Sequence, residues 1–278
     1  MTKTVEEKKK SIILDSFFTH PKETTAQSAE EYNKLALLYR SKKLNNKVIE
    51  SYKEALRIRE SSLGEIHRKT AESYSNLAQA YFESDITFKA KILYKKALKI
   101  REKIFGIGHN ETAKIYANLA HIYFSEKNIE QASIFYRKAL HIRLNTIGES
   151  HLDTASSYHD LAYFYASEYA HAEALELFKK SLDIKKNIYG SKINSSLAES
   201  YTHLALCYYH LFKYQEAYET LEEGIAIESK IYAENDLHLI LSKQNLREIK
   251  KELSKDKTTI YLKIKKIIFK IVSKRYII

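Results

Sequence analysis

Apolar positions recur along most of this chain with the period of an amphipathic helix. In the stretch ETAKIYANLAHIYFSE, residues Tyr116, Leu119, Ala120 and Tyr123 are spaced i, i+3, i+4 and i+7, so they share one helical face. The same set recurs every 42 residues, with one extra residue before the last copy, which makes it an internal repeat. Its other copies are Tyr32, Leu35, Ala36 and Tyr39; Tyr74, Leu77, Ala78 and Tyr81; Tyr158, Leu161, Ala162 and Tyr165; and Tyr201, Leu204, Ala205 and Tyr208.

A second amphipathic segment follows in each copy after a short polar break. In IEQASIFYRKALHIRLNTI, residues Ala132, Tyr136, Ala139 and Leu140 again lie on one helical face. Small residues recur where two helices of a pair must approach closely. One helix pair cannot bury its apolar face alone, whereas stacked pairs bury a continuous core. The pattern therefore predicts an all-α protein built from stacked helix pairs.

The junctions between copies contain the glycines and polar residues that first look like a ligand site. In GIGHNET, Gly106 recurs with the 42-residue period but Gly108 does not, so a phosphate-binding glycine loop is excluded. A recurring glycine is expected just past a helix end, where positive φ is often needed. These glycines are Gly64, Gly106, Gly148 and Gly190. The threonines that follow, Thr70, Thr112 and Thr154, are predicted to cap the next helix, and His67, His109 and His151 to hydrogen-bond the turn.

The aromatic and small residues of each copy resemble the tetratricopeptide repeat. The long period and the stretch ALKIREKIFGIGHNETAKIYANLA are similar to the repeats of kinesin light chains and of related bacterial tetratricopeptide proteins. The resemblance implies a right-handed α-α superhelix of about five helix-turn-helix repeats with helical caps. The matching residues of the second copy are Tyr74, Leu77, Ala78, Tyr81, Ala90, Tyr94 and Ala97.

Domain boundaries follow from the repeat. We predict an N-terminal cap helix or flexible segment at 1–27, five repeats at 28–238, a C-terminal capping helix at 239–256 and a basic amphipathic tail at 257–278. The repeats themselves are expected at about 28–70, 71–112, 113–154, 155–196 and 197–238. Only one Pro and six Gly occur in 278 residues, which favours long helices with short connections.

No spacing of chemical groups indicates an enzyme. The sequence lacks the glycine-rich, nucleophile-elbow and paired-histidine metal motifs. The single cysteine, Cys207, lies in an apolar helical stretch and is interpreted as a core residue. His121, His159 and His203 lie on successive first helices, but no carboxylate or cysteine pattern accompanies them. We therefore predict no catalytic residue, no metal and no cofactor.

The family resemblance implies a concave surface, lined by the first helices, that binds a peptide segment of a partner protein. The residues at its groove positions lie beside the Leu-Ala core pair, and asparagine is suited to them because its amide both donates to and accepts from a peptide backbone. The non-enzymatic adaptor role is thus assigned to these positions. The groove candidates are Asn76, Gln79, Lys114, Asn118, His121, His159, Asp160, Tyr163 and His203.

Charge is concentrated at the C-terminus. Residues 251–278 contain nine Lys and Arg against two Asp and Glu, a net +7 of the chain's +11, so no nucleic-acid partner is expected for the repeats. On a helix, Ile260, Ile264, Ile267 and Ile271 would share one face of a basic amphipathic segment. An alternative function is therefore a membrane-associated regulatory or effector module, whose tail lies on an anionic membrane surface while the repeats grip cargo.

The cellular location is predicted from the absence of two signals. The N-terminal stretch MTKTVEEKKKSIILDSFF interrupts its apolar residues with charges, unlike a signal peptide, and no window of about 20 apolar residues is present. A cytoplasmic protein is expected, with secretion by a non-classical route left open. The abundance of Tyr, Ile, Lys and Asn fits an AT-rich genome such as a bacterial one. The oligomeric state is left open.

Overall fold

The computed structural model describes residues 26–190 and 192–255. These residues form eleven helices and no strand, which confirms the predicted all-α architecture. The expected N-terminal cap and the basic tail with its membrane hypothesis lie outside the described residues. The helices are α1 Ala26–Ser41, α2 Asn45–Leu63, α3 Arg68–Glu83, α4 Thr87–Phe105, α5 Asn110–Ser125, α6 Ile129–Thr146, α7 Leu152–Ser167, α8 His171–Tyr189, α9 Ser195–His210, α10 Tyr214–Ile231 and α11 at 237–255.

Contacts divide the chain into two compact units, Met1–Ile122 and Tyr123–Ile278, with the boundary inside α5. In unit 1, α1 packs on α2, α2 on α3, and α3 on α4. In unit 2, α6 packs on α7, α7 on α8, α8 on α9, and α9 on α10. Helix α11 extends this order, because its Leu246 and Ile249 join a core cluster with Ala205, Ala217 and Leu221. None of the helices in the described residues is long and apolar enough to cross a membrane.

The repeated alanines are fully buried, as close helix packing requires. Ala78 of α3 and Ala90 of α4 are both 0% exposed, and so are their counterparts Ala162 and Ala174 in unit 2. A larger side chain at these points would push the helix axes beyond the usual separation of about 8–10 Å. The aromatic residues of the repeat fill the remaining space, with Tyr136 only 2% exposed.

The junctions between repeats correct one prediction. The four recurring glycines have positive φ as expected, but the threonines are not helix caps. The capping side chain is the histidine: Nδ1 of His67 accepts from the amide of Lys69 at 3.1 Å, and Nδ1 of His151 accepts from the amide of Asp153 at 3.0 Å. The helix begins about two residues earlier than the threonine position, so Thr70 lies in its first turn. Its buried hydroxyl donates instead to the carbonyl of Gly64 at 2.8 Å.

A buried basic residue joins the second helix of each of the first four repeats to the next repeat. Arg59 donates from Nη1 to the carbonyl of Lys69 at 2.8 Å and to Oγ of Ser73 at 3.0 Å. Lys185 donates from Nζ to the carbonyl of Ser196 and to Oγ of Ser200, at 3.3 and 2.7 Å. These bonds fix the spacing between successive first helices, whose side chains form the candidate site. The members of this basic series are Arg59, Arg101, Arg143 and Lys185, which are 1–5% exposed.

Candidate functional site

Four of the predicted groove residues line one polar recess in unit 1. Asn76 and Gln79 extend from α3, and Lys114 and Asn118 from α5, so residues one repeat apart meet around the same volume of about 290 Å³. Their i, i+3 and i+4 spacings place them on one face of each helix. We call this volume the unit 1 recess. It is also lined by Glu72, Ser75, Tyr94, Arg101 and Ile115.

The hydrogen bonds of the unit 1 recess orient one amide and leave two others available. The hydroxyl of Tyr94 donates to Oε1 of Gln79 at 2.7 Å, and Nε2 of Gln79 donates to Glu83 at 3.0 Å. Burial raises the pKa of Tyr94, so its phenol stays protonated as the donor. Asn76 and Asn118 are half-buried and form no side-chain hydrogen bond with other described residues. Their amides can therefore pair with a ligand backbone.

Two basic residues, Arg101 and Lys114, line the unit 1 recess together with the carboxylate of Glu72. The guanidinium of Arg101 is almost completely buried, and its Nη1 donates to the carbonyl and to the carboxylate of Glu111. Burial lowers the pKa of Arg101, and the nearby carboxylates of Glu111 and Glu72 act in the opposite direction. Lys114 is exposed at the edge. The unit 1 recess therefore combines neutral amides with an arginine paired to Glu111 and an exposed lysine.

The groove candidates of unit 2 form a cluster of rings. Nδ1 of His203 and Nε2 of His159 are 3.2 Å apart, and the ring centroids of Tyr163 and His203 are 5.6 Å apart. Phe178 packs on both imidazoles, with centroid distances of 5.1 and 5.6 Å. Burial lowers the pKa of His159 to about 3, and the charges of Lys185 and His203 add to this effect. Burial also lowers the pKa of His203, which favours the neutral form of both imidazoles.

A carboxylate that sequence reasoning did not connect with these histidines lies beside them. Ligand atoms of His159, Glu199 and His203 are all within 4.8 Å of one another. Such a set resembles a divalent cation site in composition. However, the positive charge of Lys185 adds to burial in lowering the pKa of both imidazoles. The same charge would repel a metal cation bound there. The positive charge of Lys185 therefore disfavours a metal ion at these three residues. The absence of a metal remains a prediction from the sequence.

A larger recess in unit 2 lies between α9, α10 and α11. Its volume is about 530 Å³, and His203 is the groove candidate that lines it. His121 and Asp160 are half-buried and line neither recess. We call this volume the unit 2 recess. Its lining residues are Ser195, Ser196, Glu199, Thr202, His203, Glu228, Tyr232, His238, Leu241, Ser242 and Asn245.

The recess residues that were not predicted from the sequence also follow the 42-residue period. The predicted groove positions lie only on the first helix of each copy, but the second helix also contributes to both recesses. Arg101 belongs to a series with the 42-residue period, and Glu228 takes its place in the fifth copy, after the one-residue insertion. Extending the register to charged positions of the second helix would have found both residues.

Comparisons with known proteins agree with this architecture. A family model of the tetratricopeptide repeat matches residues 27–103, 87–145 and 111–187, and a second one matches 198–231. The comparison with curated proteins gives no match. Among solved structures, the chain is similar to BtubC (BKLC) from P. vanneervenii, with 24% identity over 76% of this chain and 84% of that chain and a TM-score of 0.65. It is also similar to a kinesin-light-chain-like protein of Podosopora anserina with nearly identical TPR-like repeats, with 23% identity over 76% of this chain and 99% of that chain and a TM-score of 0.60.

The chain therefore belongs to the tetratricopeptide repeat family, because the family models match more than half of its residues. Its structural neighbours have kinesin-light-chain-like repeats, as the long repeat period indicated, and the predicted solenoid fold is confirmed. Proteins of this family generally act as scaffolds for protein interaction and are typically not enzymes.

Proposed function

We propose that this protein is a non-enzymatic adaptor that holds a peptide segment of a partner protein in the unit 1 recess. The observation that carries the proposal is the pair of amides on Asn76 and Asn118. They come from successive first helices, line the same volume and have no hydrogen-bond partner among the described residues. Each amide can donate to and accept from one peptide group of an extended ligand, whatever its side chains.

The surroundings support an extended ligand with acidic or polar side chains. Gln79 is held by Tyr94, so its amide is preorganised, and Arg101 and Lys114 supply positive charge to one side. Preorganised polar groups reduce the ordering cost of binding. The remaining candidates in unit 2, His159, Tyr163 and His203, are proposed to contact the same class of ligand through their rings.

The test uses peptides selected from a random display library on the immobilised full chain. Their affinities are then measured for the wild type and for Asn76→Ala combined with Asn118→Ala. Loss of at least one neutral hydrogen bond per asparagine, at about 1 kcal/mol each, should weaken binding by at least about 30-fold. Circular dichroism should show unchanged helicity, because both side chains are partly exposed.

Asn46→Ala combined with Asn187→Ala is the matched control, because both residues are exposed asparagines that line neither recess. This control should bind the selected peptides like the wild type. If the Asn76 and Asn118 variant binds within twofold of the wild type, the unit 1 recess is not the peptide site.

A further inference from the structure

Glu228 reverses the charge of the basic series described above. In the first four repeats, a buried Arg or Lys at this position donates to a carbonyl about ten residues ahead and, in three of them, to a serine hydroxyl. The corresponding groups for Glu228 are the carbonyl of His238 and the hydroxyl of Ser242. A carboxylate cannot donate to a carbonyl, so the link made by the other repeats is lost here.

The side chain of Glu228 is buried without compensation. The residue is 6% exposed, and its Oε2 has no hydrogen-bond partner. No ion pair of Glu228 is formed within the described residues. Lys185, the preceding member of the basic series, bonds to Ser196 and Ser200. A buried carboxylate oxygen without a partner is costly, and native proteins normally supply such a group with a donor or a cation.

The unit 2 recess, which Glu228 lines, has the other features of a site for a long basic side chain. Glu199 adds a second carboxylate to the wall. The rings of Tyr232 and His238 stack with centroids 5.4 Å apart, and they offer an aromatic wall over which a cation can lie. Thr202 and Ser242 provide hydroxyl acceptors. A volume of about 530 Å³ is far larger than a bare metal ion requires and is of the size that side chains and small ligands occupy.

We propose that the unit 2 recess binds the arginine or lysine side chain of a bound peptide, with Glu228 as its ion-pair partner. This proposal rests on the proposed function in one respect: the side chain that occupies the recess belongs to a peptide ligand. Arginine fits best, because its planar guanidinium presents five donors to several oxygens at once and stacks on aromatic faces.

The unit 1 recess provides an internal comparison. Seven of its nine lining positions correspond in the repeat register to lining positions of the unit 2 recess, with Arg101 at the position of Glu228 and Glu72 at that of Glu199. The two recesses are therefore lined mainly by equivalent positions of the repeat but differ in charge at the position supplied by the second helix. A basic side chain is repelled by Arg101 and Lys114 in unit 1 and attracted by Glu228 in unit 2.

The proposal is tested by NMR titration of the isotope-labelled full chain with Nα-acetyl-arginine methylamide at constant ionic strength. The neutral isostere Nα-acetyl-citrulline methylamide is titrated in parallel. The arginine probe should produce saturable shifts at the amides of Ser242 and Asn245, and the citrulline probe should bind at least tenfold more weakly. Glu228→Gln should reduce the affinity for the arginine probe at least tenfold, whereas Glu216→Gln, an exposed acidic residue of the same helix, should leave it unchanged.

Glu228→Arg restores the basic series. Because this variant should remain folded, its loss of arginine binding could not be attributed to unfolding. It should melt at or above the temperature of the wild type and show no saturable shifts with the arginine probe. Equal binding of arginine and citrulline, unchanged arginine binding by Glu228→Gln, or shifts with Zn²⁺ alone but not with arginine would each overturn the proposal. The Asn76 and Asn118 variant should bind the arginine probe like the wild type. Failure of the peptide test in unit 1 and failure of this titration are therefore separate results.

Discussion

Acidification from pH 8 to pH 5 should destabilise the folded chain through His159. This imidazole is packed against Phe178 and His203, and burial is the main cause of its low pKa of about 3. The positive charges of Lys185 and His203 lower the pKa further, and the charge of Asp160 opposes them only in part. The folded state therefore keeps His159 neutral throughout this pH range.

The unfolded chain behaves differently, because an exposed histidine has a pKa near 6.5. As the pH falls below this value, His159 binds a proton in the unfolded state but not in the folded state. The free energy of unfolding therefore decreases. With a folded pKa of about 3, the loss between pH 8 and pH 5 is about 2 kcal/mol from His159 alone. The magnitude depends almost entirely on the unfolded pKa, because pH 5 lies well above the folded one. It is a substantial part of the stability of an ordinary domain.

The assay is urea unfolding of the wild type and of His159→Gln at pH 8 and pH 5. Burial also lowers the pKa of His203, which contacts His159, so the titration of His203 is followed by NMR in both proteins. With the same His203 titration in both, the wild type should lose about 2 kcal/mol more than the variant. Equal losses in the two proteins, or an NMR titration of His159 with a midpoint above pH 5.5, would show that the imidazole is not held neutral by burial.

Two further predictions concern the turns and the core. Lys43 has a φ of 57° in the turn between α1 and α2, whereas the neighbouring Lys42 is not in the left-handed region, and both are exposed. Lys43→Gly should therefore raise the free energy of unfolding by up to about 1 kcal/mol, and Lys42→Gly should lower it by about 0.5–1 kcal/mol, measured by urea unfolding; equal effects would contradict the strain argument. Cys207 is 2% exposed and burial raises the pKa of its thiol to about 11, so Ellman's reagent at pH 8 should leave it unmodified in the native chain and modify it fully in urea. Rapid modification of the native chain would mean that α9 is not packed as described.

The repeat, the helix pairs and the recurring glycines could be predicted from the sequence. The residues responsible are those whose role is local or periodic, such as Ala78 between paired helices and Gly106 after a helix end. Each copy packs its helices through the same buried positions, so the residue pattern occurs five times and is easily recognised in the sequence. The histidine caps were not predicted correctly, because the position of a helix start within two residues depends on which side chain reaches the free amides.

Part of the candidate site could also be predicted from the sequence. Asn76, Gln79, Lys114 and Asn118 were found because the groove face of a first helix is fixed by its core face. Tyr94 and Arg101 were missed because they come from a second helix, and only packing between consecutive helices brings them to the same recess. Their part in the site is a property of contacts across repeats rather than of one helix.

The sequence by itself determined a periodic array of helix pairs, because helical spacing, small residues and helix-ending glycines act over a few residues. The register of the sequence shows that Glu228 stands where four other copies have Arg or Lys. Only the tertiary structure decided that this position is buried and that one oxygen of Glu228 has no partner. Burial and pairing depend on three neighbouring helices at once, so the chemistry of this position is set only when the chain is folded.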